Sequence, residues 1–238
     1  MSATPLILFT GMGADQRLFS PQKEAFPWLI VPPWIKPQRD EGLASYAERL
    51  AAQVDPGCPC FVGGASFGGF VAMEAARHLK AKALFLIGSV RHCRELPLRI
   101  RAMRHMKHML PTVPFEWVGN LAGMTLHCHD DFMRPATRSV LKQVAEMKGA
   151  FMRWACRAVL TWDPPATPLG VPVFQIHGDW DRILPVKRTH PDVTLHHAGH
   201  LLSLTHANQV NHFLEEKMSA IEHQVDEAVA TCMAEASA

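Results

Sequence analysis

Ser66, Asp181 and His200 are the residues of this 238-residue chain whose types and surroundings could carry chemistry. Ser66 is the centre of Gly64-Ala65-Ser66-Phe67-Gly68, a G-x-S-x-G pentapeptide. Taken alone, such a serine could equally be a small polar turn residue. It suits a nucleophile when a strand leads in and a helix leads out. Both are present: Cys60-Phe61-Val62-Gly63 suits a buried strand, and Phe70, Met73, Ala76 and Leu79 then recur at helical spacing. The glycines have a steric reason, because side chains beside so tight and strained a turn would strike the strand and helix. A protonated hydroxyl is a poor nucleophile and needs a base within hydrogen-bond reach. Imidazole titrates near working pH, so His200 could take that proton and return it to a leaving group. A carboxylate at Asp181 would fix the imidazole tautomer and stabilise the imidazolium. A developing oxyanion needs two preorganised donors, each worth about 3–4 kcal/mol. The Phe67 amide is one by position, and the Met12 amide, in the turn after the first strand, is the other.

These groups need a scaffold, and the hydrophobic pattern supplies one. Leu6-Ile7-Leu8-Phe9 reads as a strand ending in Thr10-Gly11-Met12-Gly13, with a helix expected from about Ala14 to Ala25. A second strand is expected near Trp28 to Val31 and a helix from Ser45 to Val54. Ala83-Leu84-Phe85-Leu86-Ile87 is continuously apolar, as in a strand buried on both faces of a parallel sheet. Val173-Phe174-Gln175-Ile176 and Val193-Thr194-Leu195 repeat that pattern, and a helix is expected from about Leu201 to Met218. The expected fold class is therefore α/β, a mostly parallel doubly wound sheet. Between Gly88 and Val171 no convincing strand occurs, only helix-like segments broken by prolines. Residues 1–90 and 166–238 are expected to form the core, with 91–165 a helical cap inserted in it. Ser66, Asp181 and His200 then all fall just beyond carboxyl ends of strands, where such sheets gather their ligands.

The chain resembles the α/β-hydrolase fold superfamily over essentially its whole length. Gly64–Gly68 resembles that family's nucleophile elbow. His177-Gly178-Asp179-Trp180-Asp181-Arg182-Ile183-Leu184-Pro185 resembles its acid turn, which selects Asp181 over Asp179. Ala198-Gly199-His200 resembles its G-H loop, which selects His200 over His196, His197 and His206. The order Ser, Asp, His along the chain is also the family's. One departure is Thr10, standing where a histidine commonly precedes the glycine. The resemblance implies a small serine hydrolase with a helical cap, cleaving carboxylic esters or thioesters through an acyl-serine, with no cofactor. It is similar to carboxylesterases, including esterases that act on carrier-bound acyl chains. Amide or carbon–carbon bond hydrolysis and acyl transfer to acceptors other than water stay open. So does a non-catalytic small-molecule receptor, because fold alone does not fix function.

Composition narrows the partners. A formal charge of +2 gives no bulk attraction to nucleic acid. Six cysteines lie in no framework spacing, no stretch has the length of a membrane span, and the N-terminus lacks a basic leader, so a cytoplasmic protein is expected. Arg91, Arg94, Arg99, Arg101, Arg104 and Lys107 have only Glu95 as a nearby acid in sequence. They form either a solvated helix face or a docking surface for an anionic substrate portion, as in a CoA-bound acyl chain, or for an acidic acyl carrier. Arg99, Arg101, Met103, Met106, Phe115 and Trp117 are the candidate substrate contacts, and an apolar acyl group is expected. His105, His108 and the run His127-Cys128-His129-Asp130-Asp131 lack an accepted ligand spacing, so no metal is expected. His177 is expected to be structural, beneath the site.

Overall fold

Six apolar runs pair into one sheet, all parallel, in the order β2-β1-β3-β4-β5-β6. They are β1 (Leu6–Phe9), β2 (Leu29–Ile30), β3 (Cys60–Ala65), β4 (Ala81–Ile87), β5 (Val173–Gly178) and β6 (Val193–Leu195). The computed structural model describes residues 3–104, 124–125, 134–164 and 169–235. Successive strand residues point to opposite faces, and both faces are covered, which is why the runs are apolar throughout rather than alternating. On one face Ile7, Phe9, Val62, Leu84 and Leu86 meet Tyr46 and Leu50 of α2 (Leu43–Val54) and Phe70 and Val71 of α3 (Phe67–Ala75). On the other, Leu6, Leu8, Phe61 and Phe85 meet Phe19 and the Val210, Phe213 and Leu214 stripe of the last helix.

Strand order reverses between β1 and β3, since the chain leaves β1 towards β2 on one side and leaves β3 towards β4 on the other. The carboxyl ends of β1 and β3, with Gly11 to Gly13 and Ser66, lie at this switch point, the place where open α/β sheets leave a crevice.

Two expected helices divide. The segment after β1 is a 3-10 turn (Gln16–Phe19) followed by α1 (Ser20–Ala25). The Asp15 carboxylate accepts from the Arg17 amide and opens the turn, and Pro21 opens the helix. At the other end α7 (Leu202–Thr205) is separated from α8 (Ala207–Glu235) by His206, whose φ of −131° and ψ of 43° are not helical.

Between β4 and β5 the described residues contain no strand. They form α4 (Leu98–Met103), α5 (Pro135–Glu146) and α6 (Gly149–Thr161). Phe151, Trp154, Ala155 and Ala158 of α6 join the cluster on the α2/α3 face. The indole N–H of Trp162, just past α6, donates to the buried Glu74 carboxylate on α3 at 2.7 Å. No helix among the described residues is long and apolar enough to cross a membrane.

Candidate active site

Ser66 has φ 51° and ψ −119°, a conformation an L-residue holds only under constraint. The constraints are visible. Its N–H donates to Ile87 O at 3.0 Å, and its carbonyl accepts from the Gly69 amide at 3.0 Å and from the Ser89 hydroxyl at 2.7 Å. A Cβ on Gly64 would collide with the backbone of Gly68, and one on Gly68 with the carbonyls of Phe9 and Thr10. Strand, turn and helix therefore approach more closely than any residue with a side chain permits.

The Ser66 hydroxyl meets His200 Nε2 at 2.8 Å, and His200 Nδ1 meets Asp181 Oδ2 at 2.6 Å. A carboxylate only accepts, so Nδ1 carries the proton and Nε2 is left as the acceptor for the serine O–H. Asp181 Oδ1 accepts from the amides of Ile183 and Leu184 at 2.8 and 2.9 Å. Burial alone would raise this carboxyl, but hydrogen bonds from His177 and His200 and from the Leu184 amide hold it well below the usual carboxylate range. The turns carrying Asp181 and His200 are laced together, with Asp179 N–H donating to Leu195 O and Trp180 N–H to Ala198 O. Asp179 itself pairs with His196 at 3.1 Å, away from His200. His177, expected to be structural, is wholly buried and places Nε2 3.3 Å from Asp181 Oδ2.

The amides of Met12 and Phe67 have no acceptor among the described residues. Phe67 opens α3, so its N–H is one of the free donors at a helix N-terminus. Thr10, the departure from the family pattern, is buried, and its hydroxyl closes the glycine turn by donating to Ala14 O at 2.9 Å. The Trp34 indole N–H donates to the same carbonyl at 3.2 Å. From α5, Gln143 Oε1 accepts the Asp15 amide at 2.8 Å.

Ser66, His200, Met12 and Phe67 face a cavity of about 340 Å³ whose remaining walls include Leu18, Phe70, Leu96, Ile100, Val140, Val144, Val159 and Ile183. Among the described residues, no lysine, arginine, aspartate or glutamate lines it. Burial pushes the thiols of Cys60 and Cys156 up to about 11, so neither supplies a thiolate at neutral pH.

The candidate substrate contacts fare differently. Met103 is exposed and Arg101 half-buried, both outside the cavity lining. Arg99 donates to the carbonyls of Arg182 at 2.6 Å and Ile183 at 3.3 Å. Arg91 pairs with Asp192 and Arg104 with Asp163, acids far away in sequence. Met106, Phe115, Trp117, Lys107 and the histidine clusters at 105–108 and 127–131 lie outside the described residues. Val140 and Val144, missed in the sequence, carry an i, i+4 signal on α5; Gln143, Ser89 and Arg99 carry none, since their partners are remote.

No protein-family model matches the sequence, and no curated protein is significantly similar to it. Solved structures do match. An esterase from Thermogutta terrifontis superposes with a TM-score of 0.68 at 17% identity, covering 92% of this chain and 91% of its own. A carboxylesterase structure from Nitrososphaera gargenis gives 0.68 at 14%, covering 93% and 92%. The enol-lactonase of Burkholderia xenovorans gives 0.67 at 13%, covering 92% of each chain. With six parallel strands in this order and near-complete overlap with such structures, the chain has the α/β-hydrolase fold.

Proposed function

We propose that this protein is a serine hydrolase that cleaves esters or thioesters of small-to-medium apolar acids through an acyl-serine. One observation carries it: the hydrogen-bonded series Ser66–His200–Asp181 opens onto an apolar cavity flanked by two unspent amides. Ser66 Oγ attacks the acyl carbonyl while His200 Nε2 takes its proton. The oxyanion is received by the Met12 and Phe67 amides. Collapse breaks the bond to the leaving oxygen or sulfur, which takes the proton from His200. Water, deprotonated by His200, then attacks the acyl-serine and releases the acid. The described part of segment 91–165 acts as a cap, since Leu96, Ile100, Val140, Val144 and Val159 wall the cavity. The same fold in an esterase, a carboxylesterase and an enol-lactonase supports ester chemistry, a lactone being a cyclic ester.

The test is a stopped-flow mix with p-nitrophenyl acetate and p-nitrophenyl butyrate. We expect a p-nitrophenolate burst stoichiometric with enzyme, an acyl adduct on Ser66, and neither in Ser66→Ala. Ligand-dependent thermal stabilisation of the wild type without any burst would instead make it a receptor.

A further inference from the structure

We propose that His177 is a second positioning histidine of this site, whose Nε2–H donates to Asp181 and limits how strongly that carboxylate draws on His200; this rests on the proposed serine chemistry. The ring is fully buried, with Nε2 2.6 Å from Leu184 O and 3.3 Å from Asp181 Oδ2. A carbonyl only accepts, so the ring proton sits on Nε2 and is shared between the two oxygens. Nδ1 is then a bare acceptor, and it has no partner among the described residues. An unpaired buried acceptor costs free energy that a leucine or phenylalanine filling the same space would not. The ring is therefore placed for the work of its other nitrogen.

That nitrogen closes a small circuit. Leu184 gives its carbonyl to His177 and its amide to Asp181 Oδ1, while Asp181 Oδ2 receives both histidines. Two donors on one oxygen compete for its charge, so each weakens the pull on the other. Several charged groups on the neighbouring elements are engaged elsewhere. Asp179 pairs with His196, Asp192 with Arg91 and the Gln175 amide, and Arg99 reaches the carbonyls of Arg182 and Ile183.

The experiment compares His177→Leu and His177→Gln with wild type in kcat and KM for p-nitrophenyl butyrate, from about pH 5 to about pH 9. With one donor fewer, Asp181 holds the imidazolium form of its partner more tightly. The acid limb of kcat/KM in His177→Leu should therefore move up by about half to one unit. In His177→Gln the amide N–H restores a donor, so the limb should return to near its wild-type position. A folded His177→Leu with the wild-type limb overturns the proposal, as does an equal displacement in both variants. A measurement on wild type stands apart from whether any variant folds: nitrogen NMR of the His177 ring should show the proton on Nε2, and a proton on Nδ1 overturns the proposal. That spectrum reads the same whether or not the protein shows an acyl burst, so failure of the hydrolase proposal is told apart from failure of this one.

Discussion

Asp181 stays charged although its side chain is fully buried, because four donors converge on it: two amides and two histidines. A carboxyl held below its ordinary value in the folded state adds stability that is present above its unfolded value of about 4. That stability is lost as pH falls through the lowered folded value. The melting-temperature gap between wild type and Asp181→Asn should therefore narrow as pH falls below about 4. A gap unchanged down to about pH 2 would mean the charge is not what the four donors stabilise. Asp181→Asn should also cut kcat by about 10³–10⁴-fold, as loss of the tautomer-fixing acid does elsewhere. Ser89 works at the same scale on Ser66. Without its hydroxyl the carbonyl of the strained Ser66 loses its shortest hydrogen bond, and Ser89→Ala should cost about 1 kcal/mol in denaturant melts.

Among elements, α5 has two tasks. Val140 and Val144 wall the cavity, and Gln143, on the same face of the helix, grips the Asp15 amide beyond the Met12 turn. Gln143→Leu would leave that amide unpaired. We expect a loss of about 1–3 kcal/mol in stability and a lower kcat for ester hydrolysis at unchanged KM, measured by denaturant melts and steady-state rates. A change in KM alone would place Gln143 in substrate binding instead. α4 meets the acid turn through Arg99, so a basic residue that looked available to an acidic partner is committed to carbonyls of its own chain.

At the scale of the whole molecule, the proposed ester chemistry makes the apolar cavity the part that sets the acyl group. About 340 Å³ accommodates about ten non-hydrogen atoms at about 30 Å³ each. kcat/KM on p-nitrophenyl esters should rise from acetate to butyrate and fall well before laurate. Val144→Trp, filling the cavity, should move the optimum towards acetate. The absence of lysine and arginine from the lining among the described residues leaves a second carboxylate on the acyl group unpaired, so hemisuccinate esters should be turned over more slowly than butyrate.

How much of this was legible depends on how local each cause is. The six strands, the elbow and the turns bearing Asp181 and His200 are written in short runs, because burial on two faces demands contiguous apolar residues and a tight turn demands glycine at fixed offsets. The division of the segment after β1 into a 3-10 turn and a helix escaped, since an aspartate cap and a proline two residues into the helix outweighed the apolar period. The pairing of the basic run with Asp192 and Asp163, the grip of Gln143 on the Asp15 amide and the approach of His177 to Asp181 belong to tertiary structure alone. Sequence by itself determined the fold and singled out Ser66, Asp181 and His200, which the folded sheet brings into one hydrogen-bonded series. Only the folded chain decided which other side chains serve them, because a hydrogen bond between groups separated by a hundred residues depends on where the sheet brings its strand ends, and no local pattern encodes that.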